Sequence, residues 1–153
     1  MYLTRKKYIG AKWEHRNITG SVIIKQNDKE IPIDFKKITY IEEEVGYWRK
    51  ANAIHKWFVD NVQNEVDDCK EYYVSIEDIK NLLNLCEEVE KDHNKSDELL
   101  PTKSGFFFGS LEYDEYYFED IKYTINMLKE IIKEEEELNK QGIFSEFYYR
   151  SSW

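Results

Sequence analysis

The chain has 153 residues, a formal net charge of −9 and a mean hydropathy of −0.75, with 41% hydrophobic and 16% aromatic residues. This composition predicts a single domain over residues 1–153 and argues against disorder, because tyrosine and tryptophan bury large areas although hydropathy scales rate them as polar or neutral. The acidity argues against direct binding of duplex DNA, whose affinity depends on neutralising phosphates.

The acidity is uneven along the chain. Residues 1–40 carry nine Lys and Arg against four Asp and Glu, whereas residues 41–153 are strongly acidic. No apolar run approaches the ~18 residues of a membrane helix, and the first ten residues lack the apolar core of a signal peptide. Cys69 and Cys86 are too few and too distant for a metal or disulfide framework. We therefore expect a cytoplasmic protein with free thiols, no metal, no cofactor and no membrane partner.

The first forty residues have the character of β-strands. One strand is predicted within residues 8–15. Residues 21–25 and 31–35 are rich in apolar and β-branched side chains and flank a polar turn at Asn27 and Asp28. This pattern predicts a β-hairpin.

A helix is predicted from about residue 43 to residue 64, around the stretch EVGYWRKANAIHKWFVDN. Trp48, Ala51, His55 and Phe58 follow the three- and four-residue spacing of one buried helix face. An ordinary amphipathic helix needs few of the tryptophan, arginine, asparagine and histidine residues found here. We therefore expect specific contacts in this segment.

The remaining elements are predicted from capping and periodicity. Residues 72–74 form a short strand, and a capping-box-like start at Ser75 opens a helix that buries Cys86. A long helix follows from about residue 113 to 139, and residues 143–149 form a last strand. The fold is predicted as α+β, with a small antiparallel sheet from the N-terminal hairpin and the C-terminal strand packed against about three helices.

Eight side chains are candidates for ligand binding. Aromatic rings stack on nucleobases, Arg and Lys bind phosphate oxygens, and Asn, His and Ser fix orientation. The candidates for stacking are Trp48 and Tyr113, and those for phosphate binding are Arg49, Lys50 and Lys103. The candidates for orienting the ligand are Asn52, His55 and Ser104. The simpler alternative is that the rings are core residues and the polar groups brace loops. No catalytic residue is predicted, although His55 would be the best base.

A second interpretation concerns acidic helices. Carboxylates from Glu112 to Glu137, joined by Glu87, Glu88 and Glu90, could present regular negative charge to a basic groove of another protein. An ordinary solvated acidic face explains the same pattern.

The three phenylalanines Phe106–Phe108 lie between two glycines, and we expect some of them to be buried or to face a partner.

The blocks YWRKANAIHKWFV, LPTKSGFFFGS and FYYRSSW resemble a family of small uncharacterised bacteriophage and prophage proteins, over about residues 38–153. The resemblance implies a phage-encoded accessory protein that counteracts host defence in the host cytoplasm. Sequestration of a small nucleotide-like signal, as a homodimer with Trp153 docked, is the leading hypothesis. An acidic anti-CRISPR or anti-restriction inhibitor that docks on a basic host defence protein, and an enzyme acting on a nucleotide, are the alternatives.

Overall fold

The structure is a computed structural model that describes residues 1–104 and 110–152. Its main sheet has four antiparallel strands in the order β4-β1-β6-β5, and a separate hairpin pairs β2 with β3. The strands are β1 Tyr2–Tyr8, β2 Ile24–Gln26, β3 Lys29–Ile31, β4 Tyr40–Tyr47, β5 Tyr72–Val74 and β6 Ser145–Arg150. The helices are α1 Asn52–Asn61, α2 Ile76–Lys91, α3 Ser96–Leu99 and α4 Glu115–Lys140. The α+β prediction is confirmed.

The core lies between one face of the main sheet and the helices. Leu3 of β1 and Tyr149 of β6 point into it and are fully buried. The ring of Phe58 on α1 stacks on Tyr149 with centroids 3.9 Å apart. Leu82 of α2 and Leu128 of α4 close the same cluster, because these two helices pack against each other. Burial of such rings and aliphatic side chains is the main favourable contribution to folding.

A buried arginine joins the sheet to α4. Arg5 points inward from β1, and its Nη2 donates to Glu43 Oε2 at 2.9 Å and to Glu134 Oε2 at 2.7 Å. Glu43 also accepts a hydrogen bond from Lys7 at 2.7 Å. Burial is the largest single influence on the pKa of the Glu43 carboxyl and raises it, but Lys7 and Arg5 together outweigh burial, so the pKa is lowered. The inward basic residues of β1 are therefore matched by carboxylates.

The predicted helix over residues 43–64 is wrong in its first part. Residues Tyr40–Tyr47 form β4, and the helix begins only at Asn52. β4 pairs with β1 along its length, and the cross-strand partners include Arg5 with Glu43 and Lys6 with Glu42. This long-range pairing outweighs the local helical spacing.

The predicted N-terminal elements are partly wrong. β1 ends at Tyr8, so the strand expected within residues 8–15 is displaced towards the chain start. The turn at Asn27 and Asp28 is confirmed, with φ angles of 51° and 62° at those residues, values that suit a tight hairpin turn. Its strands have only three residues each and form their own sheet rather than part of the main one.

The elements after β4 and α1 agree with those predicted from the sequence. Ser75 and Asp78 form the predicted capping box, Cys86 is buried, and α4 and β6 lie within a few residues of their expected bounds. The expectations for Phe106–Phe108 and Trp153 lie outside the described residues. Within the described ranges, none of the helices combines the length and apolar character needed to cross a lipid bilayer.

Candidate ligand-binding cleft

Trp48, the first residue after β4, is a core residue. Its side chain is buried, and its indole Nε1 donates to Thr124 Oγ1 on α4 at 2.9 Å. Thr124 in turn donates to the backbone oxygen of Asp120 at 2.7 Å. Trp48 also packs edge-on against Phe58. The ring therefore fixes α4 to the end of β4 and offers no free face for a ligand to stack on.

Asn52 joins the start of α1 to the segment that precedes residue 105. Its Nδ2 donates to Lys103 O at 2.7 Å, and Lys103 N donates to Asn52 Oδ1 at 2.6 Å. The amide thus pairs with both backbone groups of Lys103, and Asn52 is only 6% exposed. Both polar atoms of the Asn52 side chain are therefore hydrogen-bonded to the backbone of Lys103.

His55 lies in the core on the inner side of α1. Its Nδ1 is 2.6 Å from Tyr149 Oη, and its Nε2 is 3.1 Å from Asp67 Oδ1. Burial lowers the pKa of His55, and the nearby Asp67 carboxylate opposes that shift. A neutral ring satisfies both contacts when Tyr149 donates to Nδ1 and the Nε2–H donates to Asp67. His55 is thus a hydrogen-bonded core residue in this structure.

A cleft of about 310 Å³ lies beside the start of α1. Its walls come from the β4–α1 connection, the first turn of α1, the residues on either side of 103–109, and the first turns of α4. The lining residues are Arg49, Lys50, Ala51, Asn52, Ala53, Ile54, Thr102, Ser110, Glu112, Asp114, Tyr116, Tyr117, Glu119, Asp120 and Ile121. Parts of the first two sequence blocks thus meet in one concave site.

One wall of the cleft is positively charged. Arg49 and Lys50 are exposed there, and neither forms an ion pair with any residue in the described part of the chain. α1 begins at Asn52 without a side-chain cap, since the N-cap residue is Ala51. The first helical hydrogen bond runs from His55 N to Ala51 O, so the N–H groups of residues 52–54 have no acceptor within the described ranges. Such free N–H groups form the positive end of a helix.

The part of the lining that comes from residues 112–120 carries carboxylates and an exposed ring. Glu112, Asp114, Glu119 and Asp120 belong to it, together with Tyr116, which is 76% exposed. Burial raises the pKa of the Asp120 carboxyl to about 6, and the neighbouring charges of Glu119 and Asp114 contribute. The Asp114 carboxylate caps α4 by accepting from Tyr117 N at 3.0 Å. The cleft is therefore dipolar rather than uniformly basic.

The structure divides the eight candidates. Arg49, Lys50 and Asn52 line the cleft, whereas Trp48 and His55 are core residues. Lys103, Ser104 and Tyr113 do not line the cleft. Lys103 and Ser104 are exposed, and the ring of Tyr113 packs edge-on against that of Tyr117 with centroids 5.0 Å apart.

One feature of the site, the uncapped start of α1, was missed from the sequence. The absence of Ser, Thr, Asp or Gly immediately before Asn52 was the available signal, but it is informative only once the start of the helix is known.

The acidic helices are extensively paired with lysines. Glu87 on α2 is 2.6 Å from Lys129 Nζ, and Glu90 is 3.5 Å from Lys122 Nζ. A further contact of 3.5 Å joins Glu88 to Lys95. The carboxylates proposed to extend the acidic face of α4 are therefore partly neutralised, and the regular negative array is interrupted.

Within residues 1–104 and 110–152, no group of three or more His, Cys, Asp and Glu side chains is placed to hold a metal ion. No protein-family model matches the chain, and comparisons with curated proteins and with solved structures find no significant similarity.

Proposed function

We propose that the protein binds a small nucleotide-like anion in the cleft beside α1 without turning it over. One observation carries this proposal: the uncapped start of α1 faces the same cleft as Arg49 and Lys50, and neither cation is paired with a described carboxylate. Backbone N–H groups at a helix start and an arginine side chain are a recurrent arrangement for phosphate.

The two walls suit the two ends of a nucleotide. A phosphate would meet the N–H groups of residues 52–54 together with Arg49 and Lys50. Sugar hydroxyls and base amino groups are hydrogen-bond donors, and the carboxylates Glu112 and Glu119 are acceptors for them. The exposed ring of Tyr116 offers a stacking surface in place of Trp48 and Tyr113. The volume is at the small end of the ~300–1,000 Å³ range of ligand pockets, which suits one nucleotide.

Binding without turnover is the simpler proposal for the groups in the cleft. Its described lining has hydroxyls, Lys50 and carboxylates but no histidine, because His55 is held in the core by Tyr149 and Asp67. Under the alternative of an enzyme acting on a nucleotide, Asp120 would be the base, since its pKa is raised to about 6. The resemblance to bacteriophage proteins supports sequestration of a host defence signal in the host cytoplasm, and a homodimer remains part of this proposal.

Isothermal titration calorimetry against a panel of cyclic and linear nucleotides tests the proposal. We expect at least one ligand to bind, and Arg49→Ala to weaken its binding by about 10- to 100-fold, because a hydrogen bond to a charged group contributes roughly 1.5–3 kcal/mol. Lys80→Ala is the matched control, since Lys80 is exposed on α2 and pairs with Glu77 away from the cleft.

The same titrations separate the alternatives. Absence of binding across the panel, or equal affinity of the wild-type protein and Arg49→Ala, would contradict the proposal. Chromatography of the nucleotide after incubation should return it unchanged, whereas a product would favour the alternative of an enzyme acting on a nucleotide.

A further inference from the structure

The face of the main sheet that points away from the helices is rich in tyrosine. Side chains alternate along a strand, so residues opposite in phase to the buried Leu3, Phe147 and Tyr149 lie on this outer face. Six of the twelve tyrosines in the chain are there. We call this surface the tyrosine face: Tyr2, Tyr8, Tyr40, Tyr47, Tyr73 and Tyr148.

The tyrosine face is partly open to solvent, with three of its six rings exposed and Tyr2, Tyr8 and Tyr148 half-buried. Tyr40 and Tyr47 on β4 are each 43% exposed, and Tyr73 on β5 is 58% exposed. None of the six rings belongs to the hydrophobic core or packs against it within the described residues. A concentration of aromatic side chains on an exposed surface is typical of protein interfaces.

The rings are held in position before any partner binds. Tyr2 lies against Tyr47 with centroids 5.3 Å apart, Tyr8 against Tyr40 at 5.9 Å, and Tyr73 against Tyr148 at 6.1 Å. The hydroxyls of Tyr8 and Tyr148 both donate to Glu146 Oε2, at 2.7 and 2.8 Å. Such preorganisation lowers the entropic cost of binding.

The tyrosine face already binds two cations of its own chain. Lys6 Nζ lies 4.1 Å from the centre of the Tyr148 ring, and the Arg150 guanidinium carbon lies 5.3 Å from that of Tyr2. Lys6 is also paired with Glu71 at 2.7 Å. The chemistry of the surface is therefore aromatic faces beside carboxylates, a combination that favours guanidinium groups.

Carboxylates outnumber cations on this face, four to three. Glu42, Glu44 and Glu146 point outward from β4 and β6, and Glu71 lies beside β5. The cations beside them are Lys6, Arg150 and the N-terminal ammonium, which interacts with Glu44. The excess is unfavourable for a nucleic-acid backbone, whose phosphates would meet these carboxylates. It is equally unfavourable for a second copy of the chain, which would bring the same carboxylates together across a two-fold axis.

We propose that the tyrosine face is a docking surface for an arginine-rich segment of another protein. Guanidinium groups would lie over the tyrosine rings and pair with Glu44, and they would compete with Lys6 for Glu42 and Glu71. The excess of carboxylates over cations is the argument for this occupant. The surface is formed by β1, β4, β5 and β6, and none of its six tyrosines lines the cleft. The proposal is therefore independent of nucleotide binding.

A synthetic peptide of alternating arginine and glycine is the probe, titrated calorimetrically into the full-length protein. We expect binding that weakens as salt rises from about 50 to 200 mM, and several-fold weaker binding of the corresponding lysine peptide, because lysine lacks the planar group that stacks on a ring. Amide chemical shifts in β1, β4 and β6 should change on titration.

Ring removal provides the decisive comparison. We expect the double variant Tyr40→Thr/Tyr73→Thr to lose about tenfold in affinity, since each ring contributes a cation–π contact. The variants Tyr40→Phe and Tyr73→Phe keep the rings and should keep the affinity. Tyr123→Ala is the control, because Tyr123 is 48% exposed on α4, away from this face. Arg49→Ala should also bind the peptide normally.

Several results would overturn the proposal. They are an absence of peptide binding, an equal loss with Tyr123→Ala, and a loss with the phenylalanine variants as large as with the threonine variants. Shifts on the same face caused by a single-stranded oligonucleotide, or by self-association at higher protein concentration, would assign the surface to another occupant. Should the double variant unfold, Tyr73→Thr alone gives the same comparison at the short edge strand β5.

Discussion

Replacing Asn52 by alanine should destabilise the protein through one defined contact. The substitution removes both hydrogen bonds to Lys103, at 2.7 and 2.6 Å, and leaves the backbone N–H and C=O of Lys103 without that partner. The net contributions of the two lost hydrogen bonds, together with the cost of leaving the backbone groups of Lys103 partly desolvated, lower the free energy of unfolding by about 2–3 kcal/mol. For a chain of this size that loss lowers the melting temperature by roughly 4–12 °C.

Thermal and urea denaturation of the two asparagine-to-alanine variants of α1 tests this expectation. Asn61→Ala is the matched control: Asn61 lies at the exposed end of the same helix, and its Nδ2 makes one hydrogen bond to Trp57 O at 2.8 Å. We expect Asn61→Ala to change the free energy of unfolding by less than about 0.5 kcal/mol. Equal stability of the two variants would show that the pairing of Asn52 with Lys103 contributes nothing beyond an exposed helical hydrogen bond.

Three further predictions concern the core and the cleft. Asp120→Asn should raise the free energy of unfolding by about 1–2 kcal/mol at pH 7. The pKa of Asp120 is raised in the folded protein, so its carboxyl lowers stability as pH rises from the ordinary carboxyl range through about 6. Urea titrations should therefore show the gain vanish near pH 4, and an equal gain at pH 4 and pH 7 would show that the raised pKa is not its cause. Trp48→Phe should cost about 2–3 kcal/mol in the same assay, since it removes the hydrogen bond to Thr124 and leaves a cavity, and a cost under about 0.5 kcal/mol would contradict the burial of the indole. A thiol reagent should modify Cys69 in the native protein and Cys86 only after unfolding, because Cys86 is buried and burial raises its pKa; mass spectrometry that finds both modified under native conditions would be inconsistent with this packing.

The elements that the sequence predicts well are those with local signals. The capping box at Ser75 and Asp78 opens α2 as expected, because both partners lie within one helical turn. The long amphipathic period of α4 identifies it regardless of its neighbours. Local capping and periodicity therefore suffice for these two helices.

β4 shows what local signals cannot predict. Its glutamates are good helix formers, and Val45 and Trp48 have helical spacing. The strand forms because β4 pairs with β1 along its length. Arg5 and Lys6 lie opposite Glu43 and Glu42, and Lys7 also forms an ion pair with Glu43. Cross-strand pairs of this kind have no local sequence signal, so the preference for a strand is decided by tertiary contacts.

The site was predicted from residue type, and residue type does not distinguish a core role from a binding role. Trp48 and His55 are buried by contacts with Thr124, Tyr149 and Asp67, all at least 12 residues away in the chain. Arg49 and Lys50 lie in the short connection between β4 and α1, where side chains remain accessible. The difference lies in the position of each residue relative to the start of α1.

The strand order constrains how the chain folds during synthesis. β1 and β6 are neighbours at the centre of the sheet, and Thr4 Oγ1 contacts Tyr148 O across 144 residues of sequence. A ribosome releases the first strand long before the sixth, so β1 can pair with β4 on one side while its other edge, and all of β5, wait for residues 145–150. Such non-local closure is slow relative to helix formation. The nascent chain therefore exposes an unpaired strand edge until residues 145–150 have been synthesised, and this is the stage at which we expect it to be most prone to aggregation.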